Sequence, residues 1–159
     1  IQESRLHSVF DLLYRQYSAE RLAYEKEHLK VSDYLSENLV YDTLMQALSI
    51  LNKSNLSVVC HYPLFKLIAD WTLLNEEEKS FAGSKQAHVD FLVYNSLTKQ
   101  PLLTIEVDGW HFHKGNVVQQ SRDSLKDQVL SKYALAPIRL ATTDIVTVES
   151  LKAMLEQHL

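Results

Sequence analysis

The sequence predicts an α/β layered fold: a mixed four-stranded sheet flanked by helices. Three observations lead there. β-rich apolar segments recur at 56–62 (LSVVCHY), 88–94 (HVDFLVY) and 102–108 (LLTIEVD). Helical apolar spacing precedes the first of these and follows the third. A short fourth β-rich segment, PIRLAT at 137–142, comes after that later helix. Three consecutive strands suit an antiparallel meander, and a strand reached through a helix can return parallel to its neighbour. No Gly-rich phosphate loop supports a doubly wound dinucleotide fold.

In chain order, Leu6, Phe10, Leu13, Tyr17 and Tyr24 keep helical spacing, which predicts a long amphipathic helix over 5–29. Ser36 is the expected N-cap of a second helix, with Glu37 in its first turn. Leu39, Val40, Leu44, Ala47, Leu48 and Leu51 form its apolar stripe, and it should end near Asn52. The first strand should stop at Pro63, which lacks an N–H for the ladder. LFKLIADWTLL reads as a short helix, and EEEK with GSK marks a loop over 75–86. NSLTKQP is turn-like and joins the second and third strands. Leu125, Val129 and Tyr133 recur every four residues and predict a helix from Val118 to Ala134. Thr147 can cap a last helix carrying Leu151, Met154 and Leu155. Residues 1–35 are expected to be a helical extension, and 36–159 the domain proper.

Composition narrows the function classes. An apolar fraction of 46% argues against disorder, and three Gly and three Pro leave little room for long linkers. No apolar run approaches the roughly 18 residues of a membrane span, so no membrane association is expected. Residues 1–30 have no signal-peptide core. The chain opens on Ile1, so it is expected to be a piece of something longer. Cys60 is the only cysteine, which excludes a disulfide frame and a cysteine zinc cluster and points to a reducing, cytoplasmic setting. The net charge of −4 argues weakly against a simple phosphate-coating protein. Residues 109–139 nevertheless carry a local balance of +3, a strip compatible with an anionic substrate.

That strip adjoins the acids of TIEVDGWHFH, residues 104–113. If 95–101 is a symmetric turn, Tyr94 faces Leu102, Leu92 faces Thr104, and Asp90 faces Glu106. Directly opposed Cβ atoms lie about 4.5–5.5 Å apart on one face. Asp108 keeps that face two residues on. Val89, Phe91, Val93, Ile105 and Val107 point the other way as an apolar layer. Like charges set opposite one another are destabilising, so something must compensate. A divalent cation does so, since Mg²⁺ takes carboxylate and water oxygens. Protonation of one acid is the other solution. The bland alternative is a set of solvated acids on an exposed face.

These residues resemble the PD-(D/E)XK, or restriction-endonuclease-like, superfamily. HVDFLVYN supplies the first acid as Asp90, and LLTIEVDGWHFH the second as Glu106. The helix, three-strand, helix, strand order from Ser36 to Thr142 is similar to that superfamily's core. Asp108, Gly109, His113, Arg122 with Asp123, and PIRLATTD are similar to very-short-patch-repair-endonuclease-like domains. Such domains are often appended to helicases. The resemblance implies metal-dependent DNA cleavage with Mg²⁺ or Mn²⁺, and DNA and a helicase domain as partners. Asp90, Glu106, Val107 through its carbonyl, and Glu37 on the preceding helix would be the metal ligands. One departure stands out. The superfamily usually has Lys two residues after the second acid, where this chain has Asp108. Lys126, or else Lys114, is the expected substitute.

His113 could serve as a general acid or contact phosphate. The neighbouring His111 forms an HxH pair with it, which lacks third and fourth zinc ligands. Arg122 and Lys126 share a helical face and, with Lys114, could meet DNA phosphates. Pairing with Asp123 and Asp127 within the helix would explain the same spacing. Trp110 could stack on a base, whereas Trp71 is expected in the core. A non-catalytic nucleic-acid-binding or protein-interaction domain on the same fold is the rival reading, and an RNA nuclease a third.

Overall fold

The computed structural model describes residues 15–16, 19–20, 22–23, 26–53, 55–108, 117–141 and 146–159. Among them four α-helices flank one four-stranded mixed sheet in an α/β arrangement. Most of the predicted helix over 5–29 lies outside the described residues.

Helix α1, Leu35–Leu51, starts two residues earlier than a Ser36 cap would place it. Tyr34 occupies the cap and makes no side-chain cap bond. Asn38 does the work instead. Its Oδ1 accepts from the N–H groups of Val31 and Ser32, and its Nδ2 donates to the carbonyls of Ser32 and Tyr34. The incoming chain is thereby tied down without a Ser cap. The helix ends at Asn52, which takes the left-handed conformation common at C-terminal caps. Val40, Leu44, Ala47 and Leu48 are buried as the stripe predicts, but Leu39 is exposed at the edge of that stripe.

Strand β1, Leu56–Pro63, is followed by two 3₁₀ turns, Leu64–Leu67 and Trp71–Leu73, where a single short helix was expected. Trp71 is 38% exposed and does not enter the core. The expected loop over 75–86 is largely helix α2, Glu76–Ala82. Its start is a reciprocal cap: Asn75 Oδ1 accepts from the Glu78 N–H, and Glu78 accepts from the Asn75 N–H. Three consecutive glutamates in the first turn also suit the positive end of the helix dipole.

Strands β2, His88–Asn95, and β3, Pro101–Asp108, complete an antiparallel meander with β1. The expected register holds through the core, with Leu92 opposite Thr104 and Phe91 opposite Ile105. At the turn it slips by one: Tyr94 faces Pro101, not Leu102. Lys99 explains this, since its φ of 64° bends the loop asymmetrically. Helix α3, Val117–Ser131, crosses over to β4, Ile138–Ala141, which pairs parallel with β3. It is shorter than expected, the chain turning off before Ala134 at φ 57°. Thr147 caps α4, Val148–His158, as predicted, reciprocally with Ser150.

Two cores sandwich the sheet. Val40, Leu44, Leu48, Leu151 and Leu155 from α1 and α4 cover Phe91, Val93, Leu103 and Ile105. Val129 and Leu130 of α3 cover the opposite face with Leu64, Leu67 and Leu92. Val89 joins this second cluster and not the layer of Phe91 and Val93. The reason lies opposite the neighbouring residue, where His61 breaks the regular course of β1 with φ 50°.

Thr104 is fully buried, and its Oγ1 donates to the Leu135 carbonyl at 2.7 Å, fastening β3 to the chain leaving α3. Thr104→Val leaves that carbonyl without a donor and should cost about 1–3 kcal/mol. Urea unfolding should show a lower midpoint at an unchanged m-value; an unchanged midpoint would contradict the assignment.

Candidate active site

The β2–β3 ladder runs to Phe91 and Ile105. One residue farther, side chains take over from main chain. Asp90 Oδ2 accepts from the Val107 N–H at 2.8 Å, and the Asp90 N–H donates to Glu106 Oε1 at 3.3 Å. Both acids therefore sit where the β2–β3 ladder ends, while β3 goes on pairing with β4 to Asp108. The expected opposed pairing of residues 90 and 106 is not among the ladder pairs, and these side-chain to main-chain bonds join the two strands there instead.

The second oxygen of Glu106 accepts from Lys126 Nζ at 2.7 Å. Their side chains are only 5% and 14% exposed, so this is a buried pair delivered by α3 across the face of the sheet. Lys126 does not pair within its own helix. Asp127 next to it accepts two hydrogen bonds from Arg139 of β4, at 2.6 and 3.2 Å. The same guanidinium donates to Asp108 Oδ1 at 2.8 Å. Arg139 stands beside Glu106 in the parallel register, which explains why one strand position organises both acids. Asp123 accepts from Gln119 one turn earlier.

Glu37 enters from the other side of the sheet. It is 8% exposed in the first turn of α1, and its Oε2 lies 2.6 Å from His61 Nε2. The His61 ring meets His88 edge to face at 5.0 Å between centroids. His88 is fixed in turn by Nδ1, which donates to the Gln86 carbonyl. The left-handed backbone of His61 costs on the order of 1–3 kcal/mol for a non-Gly residue.

Glu37, Asp90, Glu106, Asp108, Lys126 and Arg122 line one cavity of about 370 Å³, together with Val107. Trp110, His111, His113 and Lys114 lie outside the described residues. Sequence reasoning missed His61, His88 and Arg139. His88 carried a signal, since it shares parity with Asp90 two residues on. Arg139 carried another, as the one charge in a short apolar strand. Nothing in the sequence marks His61.

Electrostatics follow from burial. Desolvation raises the Glu106 carboxyl from its ordinary 4.5 to about 7; Lys126 draws it down, and Asp90 pushes it up. Desolvation also raises Asp90, opposed by its bond from Val107 and reinforced by the charge of Glu37. Burial acts to lower Arg139, but Asp127 and Asp108 carry its guanidinium above the ordinary range. Hard oxygen donors that resist ionisation next to one another suit a divalent cation in chemistry. Among the described residues, no group of three or more His, Cys, Asp or Glu side chains is arranged to hold a metal ion. A cation here would draw on Asp90 and Glu106, with water completing its shell.

The chain belongs to the family described as "Protein of unknown function (DUF2726)", whose model matches residues 34–159. That span begins at the cap of α1 and includes all four strands. No curated protein matches the chain, and no solved structure does.

The raised Glu106 sets a pH dependence. Its folded form holds a proton more tightly than its unfolded form, so its contribution to stability is complete below about pH 4.5. It is lost as pH rises through about 7. In EDTA, the melting temperature should fall across that window, and Glu106→Gln should flatten the fall by a few degrees. An equally steep profile in the variant would contradict burial as the cause.

Proposed function

We propose that this domain is a metal-dependent DNA endonuclease on a restriction-endonuclease-like core, working within a helicase-associated, DNA-processing protein. The observation that carries the reading is the Asp90, Glu106 and Lys126 constellation. Two interlocked carboxylates and a buried ammonium meet at one cavity. The helix, three-strand meander, helix, parallel strand order supports it as well.

In this reading Asp90 and Glu106 hold Mg²⁺ or Mn²⁺, with Glu37 and the Val107 carbonyl as further candidate ligands. The bound metal would polarise the scissile phosphate and lower the pKa of a bound water. Lys126 takes the part usually played by a lysine two residues after the second acid. Its ammonium, already at Glu106, can orient the attacking water and offset negative charge developing on phosphate. Asp108 leaves that part to Lys126, because it is bound to Arg139. Exposed Arg122 at the cavity can meet a phosphate. Trp110, His113 and Lys114 follow directly after β3 and remain candidates for base stacking, acid catalysis and phosphate contact.

The rival is a domain that binds nucleic acid or a partner protein without cutting. The Asp108–Arg139 pair, in place of the customary lysine, favours it. Incubation with single-stranded, duplex and branched DNA and with RNA, under Mg²⁺, Mn²⁺ or EDTA, separates the two. Metal-dependent cleavage is expected, lowered at least ~100-fold by Asp90→Ala, Glu106→Ala and Lys126→Met. Cleavage that survives EDTA and the acid substitutions would end the metal mechanism. Binding without cleavage in any metal would establish the rival.

A second test concerns Asp108. Asp108→Lys restores the customary residue in sequence but sets an ammonium against Arg139 and removes that guanidinium's partner. The variant should melt several degrees lower and cleave no faster than wild type. Faster cleavage would show that Lys126 does not fill the role.

A further inference from the structure

Tyr34 occupies the N-cap of α1, a position that favours Ser, Asp or Asn. Those residues would accept from a first-turn N–H, and the Tyr34 side chain makes no such bond. Its backbone is nevertheless held firmly. The Tyr34 N–H donates to Ser32 Oγ at 3.1 Å. Its carbonyl accepts from Asn38 Nδ2 at 3.1 Å and from the Asn38 N–H at 3.2 Å. On that fixed backbone Tyr34 is 53% exposed, and it lines the cavity of the acids.

A single exposed tyrosine needs no account by itself. This one shares its cavity with a second aromatic residue. Phe81 of α2 is half-buried and packs against the core on the α3 side of the sheet, whereas α1 covers the other side. The two aromatic residues thus reach the cavity from elements on opposite sides of the sheet. Ser36 and the exposed amide of Gln86 extend this uncharged part of the lining, and Arg122 and Lys126 of α3 supply its cations. At about 370 Å³ the space lies at the small end of the ~300–1,000 Å³ usual for small-molecule sites. It suits one nucleotide and is too small for a base pair with both backbones.

We infer that this cavity takes one unpaired nucleobase of a single-stranded nucleic acid, stacked at Tyr34 and Phe81, so that duplex is disfavoured. The inference rests on the nuclease reading above and names its substrate class. An aromatic side chain stacks only on a base freed from its neighbours, which a regular duplex withholds. Every base offers such a face, so the site is tolerant of sequence. The Gln86 amide both donates and accepts, and can meet a base edge. Exposed Arg122 at the same cavity can take the adjoining phosphate. Holding Tyr34 through its main chain lowers the ordering cost of binding.

The test is fluorescence anisotropy of the full chain with labelled oligothymidylate, oligouridylate and an oligoadenylate–oligothymidylate duplex, in Mg²⁺ and in EDTA. The variants are Tyr34→Ala, Tyr34→Phe and Phe81→Leu, each checked for folding by thermal unfolding. Leu keeps apolar bulk at position 81; if that variant still fails to fold, the Tyr34 pair decides alone. Single strand should bind at least ~10-fold more tightly than duplex. Tyr34→Ala and Phe81→Leu should each weaken single-strand binding about 10-fold and leave duplex binding within about 2-fold, while Tyr34→Phe keeps wild-type affinity. A Tyr34→Ala loss on thymidylate or uridylate alone assigns DNA or RNA, and a loss on both makes the site indifferent to the sugar. Duplex bound as tightly as single strand, wild-type affinity in Tyr34→Ala, or Tyr34→Phe as weak as Tyr34→Ala would overturn the base site. Metal-dependent cleavage lost in Asp90→Ala would in that case leave the nuclease reading standing. Wild-type protein that binds no nucleic acid in either condition would remove both.

Discussion

The arrangement of this domain turns on one buried carboxylate. Glu106 sits 4% exposed on a central strand, where an unpaired charge would be strongly unfavourable. Its partner has to come from the element covering that face, and that element is α3. The crossover helix is therefore fixed in position as well as in existence: Lys126 must reach Glu106 while Val129 and Leu130 fill the core below. Thr104, two residues earlier on the same face, bonds to the chain just beyond the helix. Burial and hydrogen bonding thus hold α3 against β3 at two levels. The return strand then lies parallel, and its register brings Arg139 beside Glu106 and within reach of Asp108.

Much of this was legible because the core strands obey a period of two. Alternation in HVDFLVY and LLTIEVD gave the hairpin register at Leu92 and Thr104, and with it the meeting of residues 90 and 106. Helical spacing over 118–134 placed Lys126 on a helix following the acids. Features that depend on a single backbone angle were not legible. The left-handed Lys99 shifted the turn by one, and the left-handed His61 sent Val89 to the opposite core. Asn75 and Glu78 carried a readable capping signal, N-x-x-E, but the charge of EEEK masked it as a loop. Asn38 displaced Ser36 because a side chain in the first turn can satisfy the preceding loop from inside the helix.

The distribution of cations separates the acids into two kinds. Glu106 is matched by Lys126, while Asp108 and Asp127 share Arg139. Those charges are largely cancelled within the protein. Asp90 is held by the Val107 N–H, and Glu37 by an imidazole. Neither has a lysine or arginine as its bonded partner among the interactions described above, and both face the cavity. They set its field. The same separation bears on the role proposed for Lys126. A lysine at position 108 would need Arg139 elsewhere, whereas a lysine on α3 leaves Arg139 free to hold Asp108 and Asp127 in a separate network. With the ammonium on α3, one face of the sheet carries both a structural ion network and the proposed reactive group, with neither competing for the same acid.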